Sequence, residues 1–200
     1  EIDRPATVIQ QGDPLFATWE SLATLRDELP AQAYLFRAQS PDWVEVRLGA
    51  LPSPQIENPD SQLIEAGVWF AGYQVRPAPT GAPVTNREPA IDVTLFWRLE
   101  NRSWPAGLSL SVRPRFNHAY LYTGESDKHI VQQDTVAPMV GLLANEAVAA
   151  DTVVADPYRL PLPGDGKVDQ IQVIVYRNQL TGFAQVAQLD LPVQSNFTGQ

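Results

Sequence analysis

From residue 33 onward the chain reads in a period of two. In Ile91-Asp92-Val93-Thr94-Leu95-Phe96-Trp97-Arg98-Leu99 every odd position is apolar and the even ones are mostly polar. Such alternation turns one face of a strand to a core and the other to water. Leu108-Ser109-Leu110-Ser111-Val112 repeats it, and 33–37, 43–48, 67–75, 119–122, 130–133, 152–154, 171–176 and 183–189 read as further strands. Gly, Pro, Asn or Asp stands in nearly every interval between them, as turns require. The intervals 50–61 and 77–89 hold three and four Pro with no period and read as loop and crossover.

One segment breaks the pattern. From Pro14 to Leu29 the period becomes helical, with Leu15, Trp19, Leu22, Leu25 and Leu29 on one stripe. Asp13 suits the cap, Pro14 the first turn and Pro30 the stop. The pattern thus predicts an all-β protein, an antiparallel β-sandwich (jelly-roll or Ig-like) of about nine strands with one N-terminal helix. Residues 1–49, the helix plus a strand pair, are expected to pack on a sandwich formed by 50–200.

Composition supports short strands over helices. Pro accounts for 18 of the 200 residues, and Pro breaks helix interiors. Charged residues are only 18%, and sixteen Gln help fill the gap. Gln132, Gln172, Gln185 and Gln188 fall on outward strand positions, giving a polar surface with little charge to desolvate on docking. The net charge of -9 disfavours nucleic acid as a partner. The absence of Cys excludes disulfides, thiolate metal sites and thiol catalysis. No apolar run reaches 18 residues, so no membrane-spanning helix is expected within the chain. It begins at Glu1, not Met, and reads as a processed or excised piece whose signal or anchor lies elsewhere.

Candidate chemistry is sparse. His118 and His129 fit no zinc spacing and read as loop residues. Gly164-Asp165-Gly166-Lys167-Val168-Asp169 places two carboxylates beside Gly, so Asp165 and Asp169 are the calcium candidates, against the simpler reading of a Gly–Asp turn. Carboxylates such as Glu45, Glu57, Glu65, Asp92, Asp134 and Asp156 show no spacing that selects a glycosidase pair. No Gly-x-Ser-x-Gly elbow occurs, so no catalytic residue is assigned. Two sequons, at Asn101 and Asn196, read as chance matches. Aromatic side chains offer a stacking surface for sugar rings. Alternation sends Trp97 inward, and Trp69 is expected to follow it. Trp104, in the turn Asn101-Arg102-Ser103-Trp104-Pro105, is expected to be exposed and is the first ligand-binding candidate, with Trp43 and Tyr122 beside it.

Five segments, in order, carry a resemblance. Val46-Arg47-Leu48-Gly49 to Pro54, with Gly72-Tyr73, is similar to an "RLGTLP…LLGY" segment. Val93-Thr94-Leu95-Phe96-Trp97 is similar to "VTLYW", and Val131-Gln132-Gln133-Asp134 through Pro138 to "VAQ-D-P". Val154 to Pro163 is similar to "V-D-Y-LPLP", and Val173-Ile174-Val175-Tyr176 with Thr181-Gly182 to "VGLYD…TG". Together they resemble the extracytoplasmic C-terminal β-sandwich domain of bacterial membrane glycosyltransferases of the dolichyl-phosphate-mannose mannosyltransferase type, as found in filamentous phototrophs. The resemblance runs from about Val46 to Val193. Two departures stand out: 145–151 replaces the family's Trp-x-x-Gly, and 116–128 is altered. The resemblance implies a non-catalytic accessory domain, because the family's chemistry sits in its membrane part. Its partner would be a carbohydrate or lipid-linked sugar, with no cofactor beyond a candidate calcium ion. Its location would be the outer or periplasmic face of the membrane, tethered by segments outside this chain. The alternative is an exported protein-interaction subunit of a cell-envelope or membrane complex, and a glycoside-processing enzyme is the third reading.

Overall fold

The computed structural model describes residues 15–18, 34–38, 43–48, 54–78, 89–100, 103–123, 129–138, 150–163, 166–179 and 182–194, with 34–38 and 43–48 as backbone. Every regular element among them is a strand. In chain order these are β1 (Leu15–Thr18), β2 (Tyr34–Ala38), β3 (Trp43–Leu48), β4 (Asn58–Glu65), β5 (Val68–Pro77), β6 (Ala90–Leu99) and β7 (Leu108–Phe116). There follow β8 (Ala119–Tyr120), β9 (Tyr122–Thr123), β10 (His129–Ile130), β11 (Gln133–Thr135), β12 (Thr152–Pro161), β13 (Gln170–Gln179) and β14 (Gly182–Pro192).

Two antiparallel sheets dominate. The first has the order β12-β6-β5-β4, and the second runs β11-β7-β13-β14 with β8 added to β7. A small sheet β1-β3-β2 and the pair β9-β10 complete the described strands. The period of two does what alternation predicts. Ile91, Val93, Leu95, Trp97 and Leu99 of β6 join Leu108, Leu110 and Val112 of β7 and Ile171, Val173 and Val175 of β13 in one buried cluster. Val68 and Phe70 of β5, Tyr158 and Leu160 of β12, and Leu189 and Leu191 of β14 close it from the flanks. Burial of this apolar area is the main favourable term in folding. Polar side chains tie the sheets at their margins. The Tyr73 hydroxyl donates to the Pro192 carbonyl at 2.7 Å, and Arg177 donates to both Glu65 carboxylate oxygens at 2.8 Å.

The N-terminal helix is corrected where the structure describes it. Leu15–Thr18, its expected first turn, is strand β1, paired in register with Thr18 opposite Trp43 and Leu15 opposite Val46. The same residues satisfy a period of two. Ala17 is buried, Leu15 packs against the core, and Phe16 between them is exposed. Residues 19–29 of the expected helix lie outside the described residues.

Strand count and bounds also change: fourteen strands are described where about nine were expected. β4 occupies part of the expected 50–61 loop despite Pro59. It is an edge strand, and its register slips between Pro59 and Gln62, so the missing N–H breaks no interior ladder. Edge position likewise lets β12 continue through Pro157 to Pro161. Pro114 sits within β7 at a gap. There β11 has already left at Val112, and β8 joins only at Arg115. Gly72 has φ +136° at a bulge in β5, and a Cβ there would come within 2.4 Å of the Asn58 carbonyl oxygen. Only glycine lets β4 lie that close.

Candidate functional site

Trp104 is not an exposed platform. It is 3% exposed, its indole N–H donates to the Leu108 carbonyl at 2.6 Å, and its ring meets Trp97 edge-to-face at 5.4 Å. The turn through Ala106 and Gly107 folds the chain back over the core, so the largest side chain near it is drawn inward. Trp43 opens β3, and its side chain lies outside the described residues. Tyr122 is exposed on β9, opposite Ile130. Trp97 is fully buried, as alternation predicts. Trp69 is not in the core. It lies half-buried on the outer face of the first sheet, with the Arg98 guanidinium 4.9 Å from its ring centre.

Asp165 lies outside the described residues. Asp169 is exposed, and one carboxylate oxygen accepts the Asn117 backbone N–H at 2.8 Å. Its own N–H donates to the Arg115 carbonyl at 3.0 Å. It therefore clasps the β7–β8 turn, where Asn117 and His118 adopt positive φ. Among the described residues no group of three or more His, Asp or Glu is placed to hold a metal ion. His129 is exposed on β10, away from the turn that holds His118.

The most chemical-looking group is internal. Asp156, fully buried, accepts from the Trp97 indole N–H at 3.2 Å and from the Tyr158 hydroxyl at 2.6 Å, both at Oδ2. The Tyr158 oxygen also lies 3.3 Å from Thr135 Oγ1 on the second sheet. Burial pushes the Tyr158 hydroxyl well above the usual tyrosine range, and the Asp156 charge adds to the effect. A carboxylate paired with a tyrosine is acid–base equipment only if substrate reaches it. Asp156 and Tyr158 are sealed from solvent, so their work is structural. Three of the segments that carry the resemblance converge here: Trp97 from the first strand, Asp156 and Tyr158 from the Pro-rich one, and Thr135 just past Val131 to Asp134.

The outer face of the second sheet is accessible along β14, while Ser109 and Ser111 of β7 are buried. Register places Ser109, Tyr176 and Gln185 in one row, with Ser111, Ile174 and Gln188 in the next and Arg113, Gln172 and Asp190 beyond. Phe183 lies opposite Asn178 at the β13–β14 turn, 70% exposed, and meets Tyr176 edge-to-face at 5.7 Å. Burial first, then the Asp134 charge, raises the Tyr176 hydroxyl above its ordinary value, which keeps it a neutral donor. Polar groups continue from this pair. Tyr120 donates to Gln172 at 3.0 Å, and Gln188 donates to Asp190 at 2.9 Å. Arg113 and Arg115 stack over the Tyr120 ring at 5.8 and 5.1 Å. Gln185 makes no side-chain hydrogen bond among the described residues.

Comparison of the chain with protein-family models, curated proteins and solved structures finds no match.

Sequence reasoning ranked the Trp residues and passed over Phe183 and Tyr176. Alternation along 171–176 already put Tyr176 outward with Gln172, and that was the signal to follow. The outward expectation holds for Gln185 and Gln188, which are exposed. Gln172 also points outward but is 3% exposed, because it lies beneath Tyr120 and the β8 turn. A separate open groove of about 280 Å³ lies where β5 approaches the end of β14, lined by Glu57, Asn58, Tyr73, Val75, Pro192 and Gln194. Its central hydroxyl, from Tyr73, is already committed to the Pro192 carbonyl.

Two outcomes follow from the buried group. Asp156→Ala strips the acceptor from the Trp97 and Tyr158 donors and is expected to cost about 3 kcal/mol in urea denaturation. Asp156→Asn, which keeps one acceptor oxygen, should cost clearly less; equal losses would show that the hydrogen bonds do not matter. The second outcome concerns alkali. Tyr158 favours its neutral form when folded, so the stability it contributes is fully present below pH 10.0, the ordinary tyrosine value, and is lost as pH rises towards the higher folded value. Thermal melts should therefore fall steeply above that pH, with a shallower fall in Tyr158→Phe. Parallel slopes for the two proteins would refute the assignment.

Proposed function

We propose that the two main sheets form a β-sandwich and that it serves as a non-catalytic, extracytoplasmic accessory domain of a membrane glycosyltransferase. Its task in this reading is to bind glycan or lipid-linked sugar with the outer face of the second sheet. One observation carries the reading: the exposed Phe183, propped by Tyr176, stands beside outward Gln and Asp side chains on a flat sheet face. An aromatic π-face attracts the C–H face of a sugar ring, and amides and carboxylates next to it serve the hydroxyls. The sandwich itself is supported by the single cluster drawn from both sheets and by the three polar ties between them. The extracytoplasmic placement rests on the sequence resemblance alone. In a screen of immobilised, chemically diverse glycans, the protein should retain a subset, and Phe183→Ala should weaken that retention about tenfold or more. Silence across the whole screen sinks the reading.

A second reading, docking on a larger membrane complex, draws on a different face. On the first sheet Trp69 and Arg98 lie in register, and the Trp69 indole N–H and Arg98 Nε–H are buried without a hydrogen-bond partner. Leu63, opposite Trp69, is 53% exposed. An exposed Leu beside a half-buried Trp is apolar surface that a partner's apolar contact would cover. The chain has no Cys, so Leu63→Cys gives a single cross-linking handle. A specific adduct in membranes from the source cell supports docking; none, with the protein present and folded, ends it.

A further inference from the structure

We infer that the outer face of β13–β14 takes an uncharged oligosaccharide laid along β14, and that phosphate- or carboxylate-bearing sugars are turned away. This rests on the glycan reading above and decides between its two halves.

From Gly182 to Leu189, β14 carries no ionisable residue; Asp190 is its first. Its outward side chains are, in order, Phe183, Gln185, Gln188 and Asp190, because a bulge at Val175/Tyr176 shifts the register by one residue. That row supplies an aromatic ring, then two primary amides, each able to donate and accept. From Phe183 to Gln188 the strand runs about 16 Å, the length of a short chain of rings. Among the described residues Gln185 has no side-chain hydrogen bond, and Gln188 spends one N–H on Asp190 while its carbonyl oxygen accepts none. The Tyr176 hydroxyl adds a neutral donor beside Gln185.

Charge then selects the ligand. An anionic sugar needs a cation poised at its phosphate or carboxylate. Among the described residues this face has two cations, Arg113 and Arg115, both toward the end beside β8. Arg113 donates from Nε to Ser111 Oγ at 3.0 Å. Arg115 donates to the His118 carbonyl, lies 3.9 Å from Asp190, and stacks on Tyr120. The carboxylates of Asp134 and Asp190 stand on the same face. An anion along β14 would meet those two carboxylates and the field of a chain with net charge -9, while the cations of this face among the described residues stand beyond Gln188, beside β8. A neutral glycan loses nothing to that field.

The test uses neutral hexasaccharides (a β-1,4-glucan and an α-mannan) and two anionic probes, a galacturonate oligomer and mannose 1-phosphate. Binding is read by calorimetry at low and high salt and by backbone-amide NMR shifts. Expected are binding of at least one neutral probe with an affinity insensitive to salt, and shifts concentrated on β13 and β14. Gln185→Ala and Gln188→Ala should each weaken binding about threefold to tenfold. Binding confined to the anionic probes, or falling steeply with salt, overturns the inference while leaving glycan binding in place. Shifts that map to the groove at Glu57, Asn58 and Tyr73 overturn the assigned face. Binding of none of the probes by a protein that retains other glycans in the screen also overturns the inference, whereas silence in both removes the glycan reading itself.

Discussion

One fully buried carboxylate, Asp156, ties together three strands of the described fold. Asp156 sits at full burial in an otherwise apolar cluster, and a lone carboxylate there would cost several kcal/mol. Its donors come from Trp97 on β6 and from Tyr158 two residues along its own strand. Tyr158 in turn faces Thr135 on the other sheet. An apolar contact tolerates a sliding register, but this chain of hydrogen bonds does not. A one-residue slip of β12 would turn Asp156 to the opposite face and put Ala155 or Pro157 in its place. The network thus acts as a register pin between β12, β6 and β11. It also fixes Trp97, whose ring then receives the edge contacts of Phe70 and Trp104.

That arrangement gathers the two largest buried rings, Trp97 and Trp104, in the core. Trp97, Tyr158, Phe70 and Trp104 share one neighbourhood of the core. The two outer faces are left to different chemistry. On the first sheet, Arg159 makes a two-point bond to Asp92 at 2.8 and 2.9 Å across the β12–β6 pair, and Phe96 is buried on this side, outside the main cluster. On the second sheet the exposed side chains along β14 are Gln185, Gln188 and Asp190, with Phe183 standing clear. A face of ion pairs resists desolvation more than a face of amides does. The second sheet is therefore the cheaper one to cover with a polar, uncharged ligand.

Much of the fold was legible because alternation is a local signal. β6, β7 and β13 could be read residue by residue, since Leu, Val and Ile against Ser, Thr and Gln leave one workable pairing of faces. Leu15 to Thr18 was ambiguous in physical terms. Leu15 and Ala17 fit a strand while Leu15 and Trp19 fit a helix, and pairing with β3 decides it for the described residues. β4 was hidden by Pro59, which forbids a central strand but not an edge. Trp104 was misplaced because a turn residue is usually exposed, and nothing local reveals that Leu108 offers its carbonyl. The Phe183–Tyr176 pair depends on a hairpin register and a bulge, which are long-range facts.

The edges show how composition and site are connected. β12 and β4 carry Pro, which blunts an edge against stray pairing. β14 has no Pro before its last residue and no Lys, yet it is also an edge and the longest strand. Its protection is a bulge and a row of Gln on one face. Amides solvate an edge strand without charging it, so the strand avoids aggregation partners less strongly than a Lys-bearing edge would. A chain that accepts that risk from Gly182 to Leu189, while using Pro elsewhere, keeps this stretch uncharged at some cost. Recognition of a neutral ligand by that face is a constraint that would maintain the sequence in this state. On that reading, the low charge first visible in composition serves the proposed site as well as the fold.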